Sequence, residues 1–127
     1  MRVFLTGATG YIGSAVLDTL LRAGLEVTAL VRGLSRAGGI VARGARAVAG
    51  NLSEPAAWCD KAEGFDVYVH TAFEASARGP EVDRAAITAL IDVARRRQTA
   101  SVIYTSGIWV LGQEGRPRVC GPDVLRA

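Results

Sequence analysis

The stretch FLTGATGYIGSAV, Phe4 to Val16, decides the fold of this chain. It opens within the apolar run RVFLT, residues 2–6, which predicts a short strand. Apolar residues at helical spacing then predict a helix over 11–23 that ends at Gly24. Three glycines, at positions 7, 10 and 13, lie between the two patterns. The chain therefore begins with a strand, a glycine-rich turn and a helix.

Each glycine of this turn has a physical role. Gly7 can adopt a backbone angle that a side chain would forbid, Gly10 lets the main chain approach a ligand closely, and Gly13 lets the helix lie close to the strand. The helix that follows presents free N–H groups and a partial positive charge at its N-terminus. These features predict a pyrophosphate site, and the alternative is a tight strand-to-helix turn without a ligand.

Strand and helix patterns alternate along the rest of the chain, which predicts a doubly wound α/β fold with a parallel sheet. The longest predicted helix carries Glu81 and Asp83 near its positive end and Arg95, Arg96 and Arg97 at its negative end. We therefore interpret the three arginines as helix-end charges rather than a nucleic-acid patch. Further strands are predicted over 25–31, 45–50, 65–72 and 100–106. Further helices are predicted over 35–43, 53–62 (with Ser53 as its cap) and 80–97.

The composition is ordinary for one domain, which we expect to be cytoplasmic. The chain has 127 residues, 21% of them charged, with a net charge of +3. It has neither a run of ~18 uncharged apolar residues nor a signal-peptide pattern, so we expect no membrane partner. The basic residues are scattered, which argues against nucleic-acid binding. Cys59 and Cys120 are too few and too far apart for a metal site.

Five motifs, in this order, resemble the extended short-chain dehydrogenase/reductase family and its NAD-dependent epimerase/dehydratase group. The resemblance covers roughly residues 1–112 and implies a Rossmann-type sheet of about five strands in the order 3-2-1-4-5, with a nicotinamide dinucleotide across the carboxyl ends of the strands. The five motifs are TGATGYIGS, VTALVRG, AGNLSEP, DVYVHTAFE and VIYTSGIWVLG.

The resemblance also implies a role for individual residues. The backbone of the glycine turn would hold the pyrophosphate, and Asn51 replaces an aspartate that bonds adenine in the family. Ser106 resembles the family serine that bonds the reacting substrate oxygen, and the alternative is a capping hydroxyl at a strand end. His70 is interpreted as a core residue. The implied cofactor-binding residues are Gly7, Thr9, Gly10, Tyr11, Ile12, Gly13, Asn51, Leu52, Thr71, Ala72 and Phe73, in addition to two arginines.

Those two arginines, Arg32 and Arg36, follow the second strand and indicate the cofactor. NAD-specific sites place a carboxylate at the end of this strand, whereas arginine favours the 2′-phosphate of NADP. Here Val31 stands at the carboxylate position. We therefore expect NADP, with NAD as the alternative if both arginines are merely solvated.

The Tyr-x-x-x-Lys pair, with which reductases and epimerases of the family move the proton, does not occur in the 127 residues. We expect the chain to be the cofactor-binding N-terminal portion (1–112) of such an enzyme, cut before the catalytic helix and substrate lobe and inactive by itself. The alternatives are a non-catalytic NADP-binding sensor or regulatory module, and a nonfunctional remnant. Residues 113–127 are predicted to form an irregular tail. We also expect self-association through the exposed fifth strand, unless the tail folds back over it.

Overall fold

The fold is a parallel sheet of five strands in the order β3-β2-β1-β4-β5, flanked by helices. The computed structural model describes residues 1–98 and 100–106. This architecture confirms the predicted doubly wound fold and its strand order. The strands are β1 (Arg2–Thr6), β2 (Glu26–Val31), β3 (Arg46–Ala49), β4 (Val67–His70) and β5 (Ser101–Tyr104). The helices are α1 (Tyr11–Arg22), α2 (Leu34–Ala42) and α3 (Gly79–Arg95), with two short 3₁₀ helices at Pro55–Ala57 and Cys59–Ala62.

The sheet is buried on both faces because alternate residues of its central strand β1 enter different cores. Val3 and Leu5 pack with Leu17 of α1 on one face. Phe4 packs on the other face, where its ring lies 6.2 Å from that of Trp58 and shares a core with Leu90 of α3. Three successive buried apolar residues, Val3, Phe4 and Leu5, are what a strand covered on both faces requires.

Strand register brings the ends of β1, β2 and β4 together. Thr6, the last residue of β1, pairs with Leu30 of β2 on one side and with His70 of β4 on the other. All these pairs are parallel, so the segments that leave the three strands emerge at the same edge of the sheet. Open α/β sheets bind their ligands at this edge.

The predicted helix over 53–62 is wrong in kind, because the segment forms two 3₁₀ helices. Ser53 does not cap a helix, since its N–H and its hydroxyl both donate to Oδ1 of Asn51. The indole N–H of Trp58 donates to the Asn51 carbonyl at 2.8 Å, which ties the segment to the residues that follow β3. The strand predicted over 65–72 is also shorter, because only Val67–His70 pair.

Several predictions concern residues beyond this description. The predicted tail 113–127 and Cys120 lie outside the described residues, so the domain boundary at 112 stays a prediction. Among the helices within 1–98 and 100–106, none is both long enough and apolar enough to cross a bilayer. The cytoplasmic location also stays a prediction.

Candidate functional site

A cleft of about 460 Å³ opens at the carboxyl edge of the sheet. It is bounded by the glycine turn, the end of β2, the segment after β3 and the segment after β4. The cleft brings together all the predicted cofactor-binding residues, although they come from four separate parts of the sequence. Its described lining comprises Thr6, Gly7, Thr9, Gly10, Tyr11, Ile12, Gly13, Leu30, Val31, Arg32, Arg36, Gly50, Asn51, Leu52, Thr71, Ala72, Phe73 and Glu74.

Two glycines of the turn are required by close packing. Gly7 has a φ of +78°, and a Cβ there would lie 2.5 Å from the backbone nitrogen of Ala72. A Cβ on Gly13 would overlap the carbonyl oxygen of Gly7 and lie 2.6 Å from Oγ1 of Thr71. The glycine turn, the first turn of α1 and the segment after β4 are therefore in backbone contact with one another.

Gly10 differs because it has free space beside it. Its Cα is exposed, and a Cβ there would meet only the Gly7 carbonyl oxygen, at an ordinary 3.4 Å. Gly10 is the N-cap residue of α1, and the first helical bond joins Ser14 N–H to its carbonyl at 2.9 Å. The N–H groups of Tyr11, Ile12 and Gly13 therefore have no acceptor within the helix, and Gly10 has no side chain to cap them. The turn presents uncapped donors to the cleft.

The end of β2 supplies positive charge to one side of the cleft. Val31 is buried, while Arg32 and Arg36 are exposed and line the cleft. Within residues 1–98 and 100–106, neither guanidinium forms an ion pair with a carboxylate. As far as the described residues are concerned, both guanidinium groups lie at the cleft without a carboxylate partner.

The segment after β3 forms the next part of the lining. Asn51 is exposed and Leu52 half-buried, and both line the cleft. The Asn51 Oδ1 already accepts two hydrogen bonds from Ser53, at 3.1 Å from the nitrogen and 3.0 Å from the hydroxyl. A carboxamide oxygen has two lone pairs. An adenine bond to this atom would therefore have to displace one of the Ser53 bonds.

The segment after β4 forms the opposite wall and is tied to Thr6. Thr71 donates its hydroxyl to the Thr6 carbonyl at 2.7 Å, and Ala72 N–H contacts the Thr6 hydroxyl at 3.4 Å. Phe73 follows and is 66% exposed. Glu74 also lines the cleft, and it accepts a bond from the Ser76 hydroxyl.

Behind this wall lies a chain of polar side chains that the sequence did not reveal. His70 is buried, with Nδ1 2.7 Å from the Thr6 hydroxyl and Nε2 3.0 Å from an oxygen of Asp83. The other Asp83 oxygen accepts the Tyr104 hydroxyl at 2.7 Å, and this bond raises the pKa of Tyr104. The interpretation of His70 as a satisfied core residue is confirmed. Asp83 accepts bonds from side chains, beyond the helix-end role predicted for it.

Ser106 lies two residues beyond β5 and is exposed. It is absent from the part of the cleft lining that belongs to described residues. The neighbouring Thr105 N–H donates to the His70 carbonyl at 3.0 Å, which fixes the strand end beside β4. The substrate-binding role of Ser106 stays a prediction.

Sequence reasoning missed Thr6, Glu74 and Asp83 as parts of the site or its support. Thr6 stood inside the quoted motif, and its position at the strand end was the available signal. Asp83 had no comparable signal, because its partner His70 is thirteen residues away and on another element.

The comparisons with known proteins agree with this geometry. The profile of a family described as NAD(P)H-binding matches residues 7–123. A ketoreductase of 4-hydroxy-2-methyl-3-oxo-4-farnesyl-3,4-dihydroquinoline-1-oxide from Stigmatella aurantiaca is 33% identical over 122 residues, which cover 92% of this chain and 36% of the relative. The chain spans between 25% and 38% of the length of the curated relatives it matches.

Solved structures share the fold. A protein assigned as an NAD-dependent epimerase/dehydratase from Bacillus halodurans superposes with a TM-score of 0.70 at 27% identity, over 88% of this chain and 54% of that one. An NADPH-dependent quinone oxidoreductase from Escherichia coli superposes with a TM-score of 0.68 at 22% identity, over 82% of this chain and 36% of that one, and shows the fold alone. Because the profile covers most of its residues, the chain belongs to the NAD(P)H-binding family, whose Rossmann fold it shares with epimerase/dehydratase and short-chain oxidoreductase proteins.

Proposed function

We propose that the cleft binds a nicotinamide dinucleotide with its pyrophosphate at the N-terminus of α1. The observation that carries this proposal is the turn at Gly10. The N–H groups of Tyr11, Ile12 and Gly13 have no acceptor among the described residues, and these residues line a cleft with space beside the main chain of Gly10. Backbone donors at a helix N-terminus bind anionic phosphate because their dipoles add. In this proposal the backbone of Thr9, Gly10, Tyr11 and Ile12 holds the pyrophosphate. The N–H groups of Thr9, Tyr11 and Ile12 donate to it, whereas the Gly10 N–H already donates to the Gly7 carbonyl at 3.0 Å and Gly10 contributes the close approach of the main chain.

The remaining lining residues would bind the two halves of the dinucleotide on opposite sides of the glycine turn. Asn51 and Leu52 would contact the adenine half, with Asn51 giving up a Ser53 bond to do so. Thr71, Ala72 and Phe73 would form the wall beside the ribose and nicotinamide. The bound group supplies hydride chemistry, whereas these residues bind and orient it.

Isothermal titration calorimetry of the whole chain with NADPH and with NADH tests the proposal. We expect binding of at least one, and loss of binding in Gly10→Val, whose side chain would occupy the space beside the turn. The φ of −82° and ψ of 174° at Gly10 suit valine, so the variant should still fold. Circular dichroism verifies that, and absence of binding by the wild type would contradict the proposal.

We further propose that NADP(H) is preferred over NAD(H). Arg32 and Arg36 line the cleft and have no carboxylate partners among the described residues, so both can donate to a 2′-phosphate. Val31 stands where a carboxylate would repel that phosphate. Arg32→Gln should weaken NADPH binding about tenfold, the lower range for a hydrogen bond to a charged group, and leave NADH binding unchanged.

Arg46→Gln is the matched control, because Arg46 is exposed at the opposite, amino-terminal end of β3. The control should bind both dinucleotides as the wild type does. Equal wild-type affinity for both, or a preference for NADH, would overturn the assignment to the two arginines.

For the whole protein we propose oxidoreductase or epimerase chemistry of the extended short-chain type, supported by the ketoreductase relative and the epimerase/dehydratase structure. The chain by itself, without a Tyr-x-x-x-Lys pair in its 127 residues, would bind the cofactor but not turn over substrate. A second candidate is an NADP-binding sensor or regulatory module, which would bind the same cofactor in the same cleft without turnover. The coding sequence beyond Ala127 distinguishes them, because only the first requires a Tyr-x-x-x-Lys helix there.

A further inference from the structure

We propose that Asp83 is a positioning residue that holds the β4 wall of the dinucleotide cleft through His70 and Thr6. The inference rests on the proposed function, since it concerns the same cleft. Asp83 itself lies on α3 and is not part of the described cleft lining. It would therefore affect cofactor binding only through the side chains that connect it to the wall.

The connection is an unbroken series of hydrogen bonds. Asp83 contacts His70 Nε2 at 3.0 Å, His70 Nδ1 contacts the Thr6 hydroxyl at 2.7 Å, and the Thr6 hydroxyl contacts Ala72 N–H at 3.4 Å. Tyr104 extends the series on the far side of Asp83 with a bond of 2.7 Å. Its ring also stacks on the imidazole with centroids 5.8 Å apart.

One arrangement of hydrogens satisfies every member. A carboxylate only accepts, so His70 Nε2–H and the Tyr104 hydroxyl both donate to Asp83. Nδ1 of His70 is then the acceptor of the Thr6 hydroxyl hydrogen, and the Thr6 oxygen accepts from Ala72 N–H. The two bonds end on different oxygens of Asp83, and asparagine at position 83 would keep an oxygen at only one of these two places, with an NH₂ group at the other. Either Tyr104 loses its acceptor or the imidazole must change tautomer.

The β4 wall cannot shift independently of Thr6 if this series of hydrogen bonds is broken. Thr6 also accepts at its carbonyl from the N–H and the hydroxyl of Thr71, at 3.3 and 2.7 Å. Positions 7 and 13 have no room for a Cβ against Thr71 and Ala72. A displacement of Thr6 would therefore move the wall and the glycine turn together, and both line the cleft.

The test uses His70, which is the only histidine in the chain and gives a single set of imidazole signals. ¹⁵N-histidine spectra should show the Nε2–H tautomer in the wild type, and titration with NADPH should shift these signals. Asp83→Asn should change the imidazole signals and weaken NADPH binding roughly 3- to 10-fold, the range for one lost hydrogen bond. Asp92→Asn, which makes the same chemical change at an exposed position of α3, should do neither.

Tyr104→Phe is the second variant, for the case that Asp83→Asn fails to fold. It keeps the ring stacked on His70, removes one donor to Asp83 and should shift the same imidazole signals. A folded Asp83→Asn that binds NADPH as the wild type does, or His70 signals that NADPH leaves unmoved at saturation, would overturn the positioning role while leaving the proposed function intact. Failure of the wild type to bind either dinucleotide would overturn both.

Discussion

Replacement of Gly13 by alanine tests how closely α1 lies against the glycine turn. The added methyl group would overlap the carbonyl oxygen of Gly7, lie 2.5 Å from its carbonyl carbon and lie 2.6 Å from Oγ1 of Thr71. Contacts under 3.0 Å essentially never occur at real Cβ atoms. Because two of the three opposing atoms are backbone, they cannot rotate away, and α1 itself must shift.

The expected magnitude follows from two opposing terms. Overpacking typically costs about 1–3 kcal/mol, and backbone clashes place this site at or above the upper end. Alanine recovers about 1 kcal/mol of helix propensity relative to glycine. The net expectation is a free energy of unfolding lower by about 2 kcal/mol or more, a substantial part of the roughly 5–15 kcal/mol of a small domain.

Urea unfolding followed by circular dichroism measures this change, with two controls from the same chain. Gly38→Ala lies in α2, where the added Cβ would meet no atom of another described element within 4 Å, so it should raise the free energy of unfolding by about 0.5–1 kcal/mol. Gly10→Ala has its nearest atom at 3.4 Å and should lower that free energy by at most about 1 kcal/mol, from the weaker N-cap. A Gly13→Ala variant as stable as the wild type would refute the close approach of helix and turn.

Three further outcomes are expected. The Arg2 backbone N–H donates to the Asp66 carboxylate at 2.7 Å and lowers the pKa of that carboxyl. The ionised carboxylate therefore stabilises the folded chain fully above the unfolded pKa of about 4, and this stabilisation is lost as the pH falls through the lower folded pKa. Asp66→Asn should therefore flatten the acid limb of unfolding free energy against pH, and an unchanged limb would contradict this. The chain alone should show no reductase or epimerase turnover with NADPH, and turnover abolished by Ser106→Ala would reveal a proton donor that we have not recognised. We expect copies of the chain to associate through β5, where Ile103 is half exposed, so light scattering should show an average mass that grows with protein concentration. A monodisperse monomer at high concentration would exclude this association.

The parts of the fold that the sequence predicted are those fixed by local patterns. The glycine turn, the apolar strands and the amphipathic helices each carry their signal within a dozen residues, and every observed strand lies where an apolar run predicted one. Strand boundaries moved by up to two residues because pairing with a neighbour, rather than hydrophobicity, decides where a strand ends. The strand at 65–72 shortened to Val67–His70 for this reason.

The segment at 53–62 shows where local patterns fail. Pro55 and Ser53 resemble a helix start, but Asn51 competes for the Ser53 donors and holds Trp58 through its carbonyl. The indole is fully buried against Phe4, so tertiary packing of one large ring determines the local conformation. A propensity argument cannot weigh that contact, because Phe4 lies more than fifty residues away in the sequence.

The side chains that support the cleft could not be predicted from the sequence for the same reason. They affect how the cleft would bind a dinucleotide. Thr6 and His70 are 64 residues apart, and Asp83 joins them from a third element. The sequence identified residues that line the cleft because a cofactor-binding motif has a recognisable residue type and spacing, whereas the residues that hold them in place follow no local pattern. In this structure the turn and its wall are fixed by tight backbone contacts and by satisfied side-chain bonds, while Gly10 alone of the three turn glycines has open space. A dinucleotide would thus enter a largely pre-formed site, and little of its binding free energy would be spent on ordering the protein.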